Sequence, residues 1–212
     1  MEEARFADVL IVGAGPAGLF TALFLARYGV KNIAIIERRP IPVQIGHASG
    51  IQPRTQEILH TLGLFDQFDH GSGGFADAAF WTAPTEDAPL KRSRAGRDIS
   101  NETLAIHKRM LIQHQGKTEA IINAELEKRG IRVNRPFDFV DFDYTDDKEY
   151  PLRAFVKDTE RGQVDRWNCK YLVAADEPTV SQDSFPELSL QCQKQTTCGL
   201  CKLSRPPLCS PF

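Results

Sequence analysis

The sequence carries almost no net charge, and this absence excludes several classes of partner. Its formal net charge is −2 and its pI is about 6.2, so nothing in its electrostatics favours nucleic acid or an anionic membrane. The N-terminal stretch MEEARFAD lacks the basic region of a signal peptide. With 42% hydrophobic and 25% charged residues, the 212 residues are ordinary globular material, long enough to bury a core. We therefore predict a cytoplasmic protein without nucleic-acid or membrane partners.

The sequence also lacks an uninterrupted apolar run of membrane-spanning length. Residues 9–26 contain no charge, which is close to the length of a spanning helix. The Gly-Pro cluster at Gly15 and Pro16 divides this stretch into a strand-like half and a helix-like half. A strand–turn–helix is therefore favoured over a membrane segment.

Metal-binding patterns are incomplete. Cys198 and Cys201 have C-x-x-C spacing, but no second pair and no histidine follows, so a zinc site is disfavoured. The acidic cluster from Asp138 to Asp143 has no glycine where a calcium loop turns. Four of the five cysteines and five of the 13 prolines fall after Asp176. We predict a divergent, disordered or loosely attached tail over residues 177–212 and no metal.

The richest pattern lies between Ala7 and Glu37. A strand-like run, Val9–Val12, leads into a glycine-rich turn and then a helix-like sequence, and Glu37 closes a second strand-like run. This order is the dinucleotide-binding fingerprint of a βαβ unit. The glycines permit a tight turn, close approach of a pyrophosphate, and helix–sheet packing. The predicted cofactor-binding turn comprises Gly13, Gly15, Pro16, Ala17 and Gly18, with Glu37 accepting a bond from a ribose hydroxyl.

The remaining pattern predicts an α/β fold, with a Rossmann-like βαβ domain and an added β-sheet portion. The predicted helices are Pro16–Tyr28, Thr55–Leu62 and Gln115–Arg129. The predicted strands are Asp8–Val12, Ile33–Glu37, Asp77–Thr82, Thr103–Ile106, Ile131–Val133, Phe137–Tyr144, Leu152–Lys157, Val164–Asn168 and Tyr171–Ala175. Tyr171–Ala175 is a continuous apolar run, which is typical of a buried parallel strand.

Four segments together resemble the class A FAD-dependent aromatic hydroxylases, in the phenol 2-monooxygenase-like branch common in fungi. They span about residues 5–176 and stand in the family's order. The segments are Val12–Gly18 with Glu37-Arg38-Arg39, then Gly46–Thr55 (GHASGIQPRT), Ile112–Glu119 (IQHQGKTE) and Lys170–Asp176 (KYLVAAD). By this resemblance residues 1–176 form an FAD-binding domain with part of a substrate domain.

The resemblance implies a cofactor, a reaction and the residues that contact the cofactor. FAD would receive hydride from NAD(P)H, and one oxygen atom of O2 would enter a small aromatic, phenolic substrate. Glu37 would hold the FAD ribose and Arg38 the adenosine region, while Arg54 lies near the cofactor and Gln115 contacts the flavin. The loop that passes the flavin ring would comprise Gly46, His47, Ala48, Ser49, Gly50 and Ile51.

The sequence departs from the family pattern at two positions and ends early. Ser49 stands where the pattern usually has an aspartate credited with helping to deprotonate the phenol, and serine is no base at neutral pH. Glu177 replaces the glycine of an Asp-Gly motif, and the second FAD motif is missing, which suggests truncation. No catalytic residue is therefore assigned, and His107 and His114 are expected to be structural. Two alternatives stay open, a non-catalytic flavin-binding fragment and a nicotinamide-dependent oxidoreductase.

Overall fold

The computed structural model describes residues 5–44, 49–75, 80–83, 85, 88–93, 106–107 and 109–176. Several sequence predictions lie outside these residues. They are the loop positions Gly46, His47 and Ala48, the starts of the strands predicted at Asp77 and Thr103, and the tail with its C-x-x-C pair.

Eleven strands and four helices are present in the described residues. The helices are α1 (Pro16–Arg27), α2 (Pro53–Leu62), α3 (Phe65–Asp69) and α4 (Gln115–Glu127). The strands are β1 (Arg5–Val12), β2 (Ile33–Ile36), β3 (Gly50–Ile51), β4 (Gly73–Phe75), β5 (Phe80–Thr82), β6 (Lys91–Ser93), β7 (Met110–Ile112), β8 (Val133–Asn134), β9 (Phe137–Tyr144), β10 (Leu152–Asp158) and β11 (Val164–Ala174).

The described residues within 1–42 and 122–212 form one of two compact units, which is built on a mixed sheet. The strand order is β8-β2-β1-β11-β10-β9. The pairs from β8 to β11 are parallel, whereas β10 pairs antiparallel with both β11 and β9. Helix α1 connects β1 to β2 as the fingerprint predicts, with Leu19 and Leu23 buried. The predicted α/β fold with a Rossmann-like parallel sheet is confirmed.

Strand β11 corrects the sequence prediction at one point. Two strands were expected, Val164–Asn168 and Tyr171–Ala175, but the chain is one continuous strand. Its first half pairs antiparallel with β10, and its second half is left to pair parallel with β1 alone. The expected burial of the second half is also wrong in part, because Tyr171 is 67% exposed. Lys170 interrupts the apolar run yet stays in the strand, because its ammonium reaches Asp8 at 2.8 Å.

The core of this unit lies along β1, β10 and β11. Buried members include Leu10, Ile36, Val156, Trp167 and Cys169. Trp167 and Cys169, two positions apart in β11, belong to the same hydrophobic cluster. Among the described residues, no helix is long and apolar enough to cross a membrane.

Residues 43–121 form the second unit. Its described part has a three-stranded antiparallel sheet in the order β3-β7-β4, a β5–β6 hairpin and the helices α2 and α3. Helix α2 ends at Gly63, whose φ of +68° is the left-handed conformation expected of a helix-terminating glycine. The strand predicted at Thr103–Ile106 is not seen at Ile106, and the strand in this region is β7 instead. Three residues between polar neighbours are too short to show strand periodicity.

Candidate cofactor site

The glycine-rich turn begins with a backbone that excludes side chains. Gly13 has a φ of +99°, and a Cβ there would lie 2.8 Å from backbone atoms of Ala175. The Gly13 N–H donates to the carbonyl of Ile36 at 2.9 Å. A Cβ on Gly18 would lie 2.0 Å from the carbonyl oxygen of Gly13. These two glycines therefore let the turn and helix α1 pack against the sheet.

Gly15 differs from Gly13 and Gly18 because the space next to its Cα is open. A Cβ built at Gly15 has no described atom within 4 Å, and its φ of −73° and ψ of 177° suit any residue. Gly15 is the N-cap of α1, Pro16 and Ala17 begin the helix, and no side chain caps it. The helix therefore presents N–H groups and the positive end of its dipole beside open space. This arrangement fits the pyrophosphate of a dinucleotide such as FAD.

Glu37 directs its carboxylate at the same turn. It is 5% exposed, its Oε2 accepts from the Ala14 N–H at 3.0 Å, and its Oε1 accepts from the Arg39 N–H at 2.9 Å and Nε at 3.0 Å. Burial alone would raise the pKa of Glu37, but the bonds from Arg39 and Ala14 outweigh it and leave the pKa below its ordinary value. The carboxylate is therefore charged at neutral pH and stands where β2 ends.

The arginine beside this carboxylate is not the one expected to contact the cofactor. Arg38, predicted for the adenosine region, is exposed, whereas Arg39 forms the ion pair with Glu37. The carbonyl of Arg39 also accepts from Arg135 Nη1 at 3.0 Å. Sequence reasoning missed this role, since two adjacent arginines look alike until the direction of the chain after β2 is known.

The second set of predicted cofactor residues lies in the unit of residues 43–121. Gly50 and Ile51 form β3 and pair with Ile112 and Leu111 of β7. The Gln113 N–H extends this pairing by donating to the Ser49 carbonyl at 2.8 Å. The structure thus brings together two of the sequence segments that carried the resemblance, those at positions 49–51 and 112–113.

Arg54 and Gln115 stand at the first turns of their helices. Arg54 is 81% exposed on α2, with its Nη1 2.7 Å from Glu57 Oε2. Gln115 begins α4 and donates from Nε2 to Glu119 Oε1 at 2.9 Å. Both side chains are placed beside a carboxylate one helical turn along, and their predicted contacts with the cofactor stay predictions.

Two buried glutamines near β3 were missed from the sequence. Gln56 is fully buried and Gln113 is 4% exposed. Gln113 donates from Nε2 to Thr118 Oγ1 at 3.3 Å. A signal for Gln56 exists in the sequence, because it follows Pro53 and precedes Leu59 at three-residue spacing on the buried face of α2. A polar residue on such a face indicates a specific hydrogen-bonding duty.

His107, for which the sequence predicts a structural role, forms a cluster with the rings of His60 and Phe65. His107 Nε2 lies 2.8 Å from His60 Nε2, and the Phe65 ring stacks on both imidazoles at centroid distances of 4.0 and 4.3 Å. Burial, and next the nearby His60, lower the pKa of His107. The described residues contain no group of three or more His, Cys, Asp or Glu side chains that could hold a metal.

Comparison with known proteins identifies the family of this arrangement. The FAD binding domain family matches residues 6–181. The flavin-dependent oxygenase ucdD of Aspergillus ustus is 31% identical over 179 residues, covering 80% of this chain and 27% of the relative. The tetracenomycin A2 monooxygenase-dioxygenase of Streptomyces glaucescens is 29% identical over 183 residues, covering 79% of this chain and 32% of the relative.

A solved structure agrees with these sequence matches. The flavin-dependent monooxygenase PieE, in complex with FAD and substrate, is similar with a TM-score of 0.65 and 26% identity. The match covers 81% of this chain and 30% of PieE. The chain thus spans about a third or less of the length of the proteins it matches. The resemblance to flavin-dependent hydroxylases that the sequence motifs indicated is confirmed.

Proposed function

The chain belongs to the family of FAD-binding domains, and we propose that it supplies the FAD-binding part of a monooxygenase that hydroxylates a phenolic substrate with NAD(P)H and O2. The observation that carries the proposal is the open space at Gly15 beside the buried, charged carboxylate of Glu37. We propose residues 1–176 as the domain that performs this role.

The residues of the glycine-rich turn would hold the pyrophosphate and ribose. N–H groups at the start of α1 donate to phosphate oxygens, and Gly15 leaves room for those oxygens to approach. Glu37 would accept from a ribose hydroxyl, and the charged form that its lowered pKa favours makes this bond stronger. Arg38, exposed one residue later, would contact the adenosine region.

The residues of the other unit would contact the flavin. The proposed contacts are Arg54, Gln115 and the loop of Gly46, His47, Ala48, Ser49, Gly50 and Ile51. Pairing with β7 fixes the backbone of Gly50 and Ile51, so N–H and carbonyl groups in this segment have defined directions. A backbone contact of this kind binds the ring without the bulk of a side chain.

FAD, when bound, supplies the redox chemistry that no side chain can perform. The chain itself binds and orients the cofactor. Ser49 offers a hydroxyl but no base at neutral pH, so we assign no proton acceptor for the phenol within the described residues. The names of the relatives support the oxygenase class, and the phenolic substrate and NAD(P)H rest on the resemblance of the motifs.

The test is a titration of the purified chain with FAD, followed by visible absorbance and flavin fluorescence. We expect saturable binding of one FAD, and weakening of at least tenfold in Glu37→Gln, because the variant loses the charge that the ribose and Arg39 share. Glu125→Gln is the matched control, since Glu125 is also an ion-paired carboxylate, with Lys128 and Arg129, and its loss should leave FAD affinity unchanged.

Two outcomes would favour the alternatives to this proposal. Binding of NADPH with no affinity for FAD would favour a nicotinamide-dependent oxidoreductase. Bound FAD without NAD(P)H consumption or hydroxylated product, for a panel of phenols, would favour a non-catalytic flavin-binding fragment.

A further inference from the structure

The carboxamide of Gln56 bridges two separate backbone segments. Its Nε2 donates to the carbonyl of Ile51 at 3.0 Å and to the carbonyl of Arg109 at 2.7 Å. Both protons of the amide are therefore used, one for the end of β3 and one for the residue that precedes β7. The side chain is fully buried, so water does not compete for these bonds.

The oxygen of the same carboxamide lacks a hydrogen-bond donor among the described residues. The carboxamide oxygen of Gln56 is buried and accepts no hydrogen bond from any described residue. An unpartnered buried acceptor costs about as much free energy as two ordinary hydrogen bonds contribute. The net stabilisation by Gln56 is therefore small, and what the side chain provides is geometry.

The geometry that it fixes belongs to the segment Ser49–Ile51. This segment is held on one side by its pairing with β7 and by the Gln113 N–H on the Ser49 carbonyl. A strand of only two residues has few backbone hydrogen bonds, so a hydrogen bond from a side chain contributes much to holding it in position. Gln56, on the buried face of α2, donates that hydrogen bond to the carbonyl of Ile51.

We propose that Gln56 is a positioning residue for the flavin-side segment Ser49–Ile51, and that it sets the affinity and the environment of bound FAD without touching it. This inference rests on the proposed function, because it takes Ser49–Ile51 to be an FAD contact. The tie to the backbone is independent of the cofactor and is testable in its absence.

The test compares Gln56→Met with Gln67→Met. Methionine keeps the length of glutamine and removes both donors at position 56, whereas Gln67 is exposed on α3 and the same change there loses no bond of this kind. Hydrogen–deuterium exchange of cofactor-free protein should become at least tenfold faster in peptides covering residues 49–51 and 109–112 of Gln56→Met. Peptides of β1 should not change in either variant.

The second readout is FAD binding by the same proteins. Gln56→Met should weaken FAD binding at least tenfold and shift the visible circular dichroism of the bound flavin, with Gln67→Met like the wild type. Should Gln56→Met fail to fold, Gln56→Asn retains the carboxamide but is one methylene shorter and cannot hold both carbonyls in their present places, so it should show the same changes.

The outcomes separate the two layers of reasoning. Unchanged exchange at residues 49–51 in both variants at position 56 would overturn the positioning role. Faster exchange with unchanged FAD affinity and spectrum would overturn the link between this segment and FAD. A wild-type chain that binds no FAD would contradict the proposed function, while the exchange measurement would still decide whether Gln56 positions the segment.

Discussion

Replacing Gly15 by valine separates cofactor binding from folding. In the cofactor-free protein the new side chain enters open space, and the backbone at Gly15 is already extended. Removing glycine stabilises by about 0.4–1 kcal/mol through the unfolded chain. Losing glycine at a helix N-cap costs about as much. We therefore expect the free energy of unfolding to change by less than about 1 kcal/mol.

The effect of Gly15→Val on FAD binding should be much larger. The valine side chain would occupy the space that we assign to the pyrophosphate, so at least one N–H contact with a phosphate oxygen is lost. A hydrogen bond to a charged group contributes about 1.5–3 kcal/mol. At about 1.4 kcal/mol per factor of ten, this loss weakens FAD binding by about 10- to 150-fold.

The assay pairs urea unfolding of the cofactor-free protein with a flavin fluorescence titration, and Gly18→Ala is the contrasting variant. A Cβ at Gly18 meets the Gly13 carbonyl oxygen at 2.0 Å, so the helix must shift, at a cost of about 1–3 kcal/mol or more. Gly18→Ala should lose stability before any cofactor is added. FAD affinity that survives Gly15→Val within threefold would refute the placement of the pyrophosphate. A large loss of stability in Gly15→Val would contradict the finding that the space beside Gly15 is open.

Two further predictions concern titratable groups whose pKa is shifted. Burial raises the pKa of Cys169 to about 12, so about 1 in 10,000 of these thiols is ionised at pH 8. Mass spectrometry should find Cys169 unalkylated after iodoacetamide treatment in native buffer and alkylated after the same treatment in denaturant. Equal labelling under both conditions would show that Cys169 is not buried. Because the pKa of His107 is lowered in the folded chain, the unfolded chain takes up a proton at this residue at a higher pH, near about 6.5, than the folded chain does. The contribution of the cluster of His107, His60 and Phe65 to the free energy of unfolding should therefore fall as the pH drops below about 6.5. Imidazole NMR titration should place the His107 midpoint below 6.5 and raise it in His60→Gln, and a midpoint at or above 6.5 in the wild type would contradict the cluster.

Elements whose pattern is complete within their own residues were predictable from the sequence. Strand β9 has the predicted bounds, Phe137–Tyr144, because aromatic residues alternate with aspartates on either side of Val140, where the register with β10 shifts. Helix α1 was fixed by Pro16 at its start and the glycine after its end. Both rest on local backbone preferences, which a single sequence displays directly.

Elements defined by their partners were not predictable. Strand β11 continues through Lys170 because it pairs with β1 from Trp167 to Ala174, although its pairing with β10 ends at Cys169. Strand β7 is three residues long and exists because β3 and β4 pair with it on either side. The duty of Gln56 likewise depends on two carbonyls that lie 5 and 53 positions away in sequence. Long-range pairing decides each of these features, and no local period records it.

The carboxylate of Glu37 has one feature that the local sequence pattern predicts and one that depends on distant parts of the chain. Its place at the end of β2 follows from the fingerprint, but its hydrogen bonds do not, because they depend on where the turn and Arg39 lie. A carboxylate has about four acceptor positions, and three are used here, by the Ala14 N–H, the Arg39 N–H and Arg39 Nε. One position remains for a ribose hydroxyl. Glu37 can therefore brace the turn that receives the phosphates and bind the ribose at the same time, so the Glu37→Gln variant should affect both the turn and the cofactor.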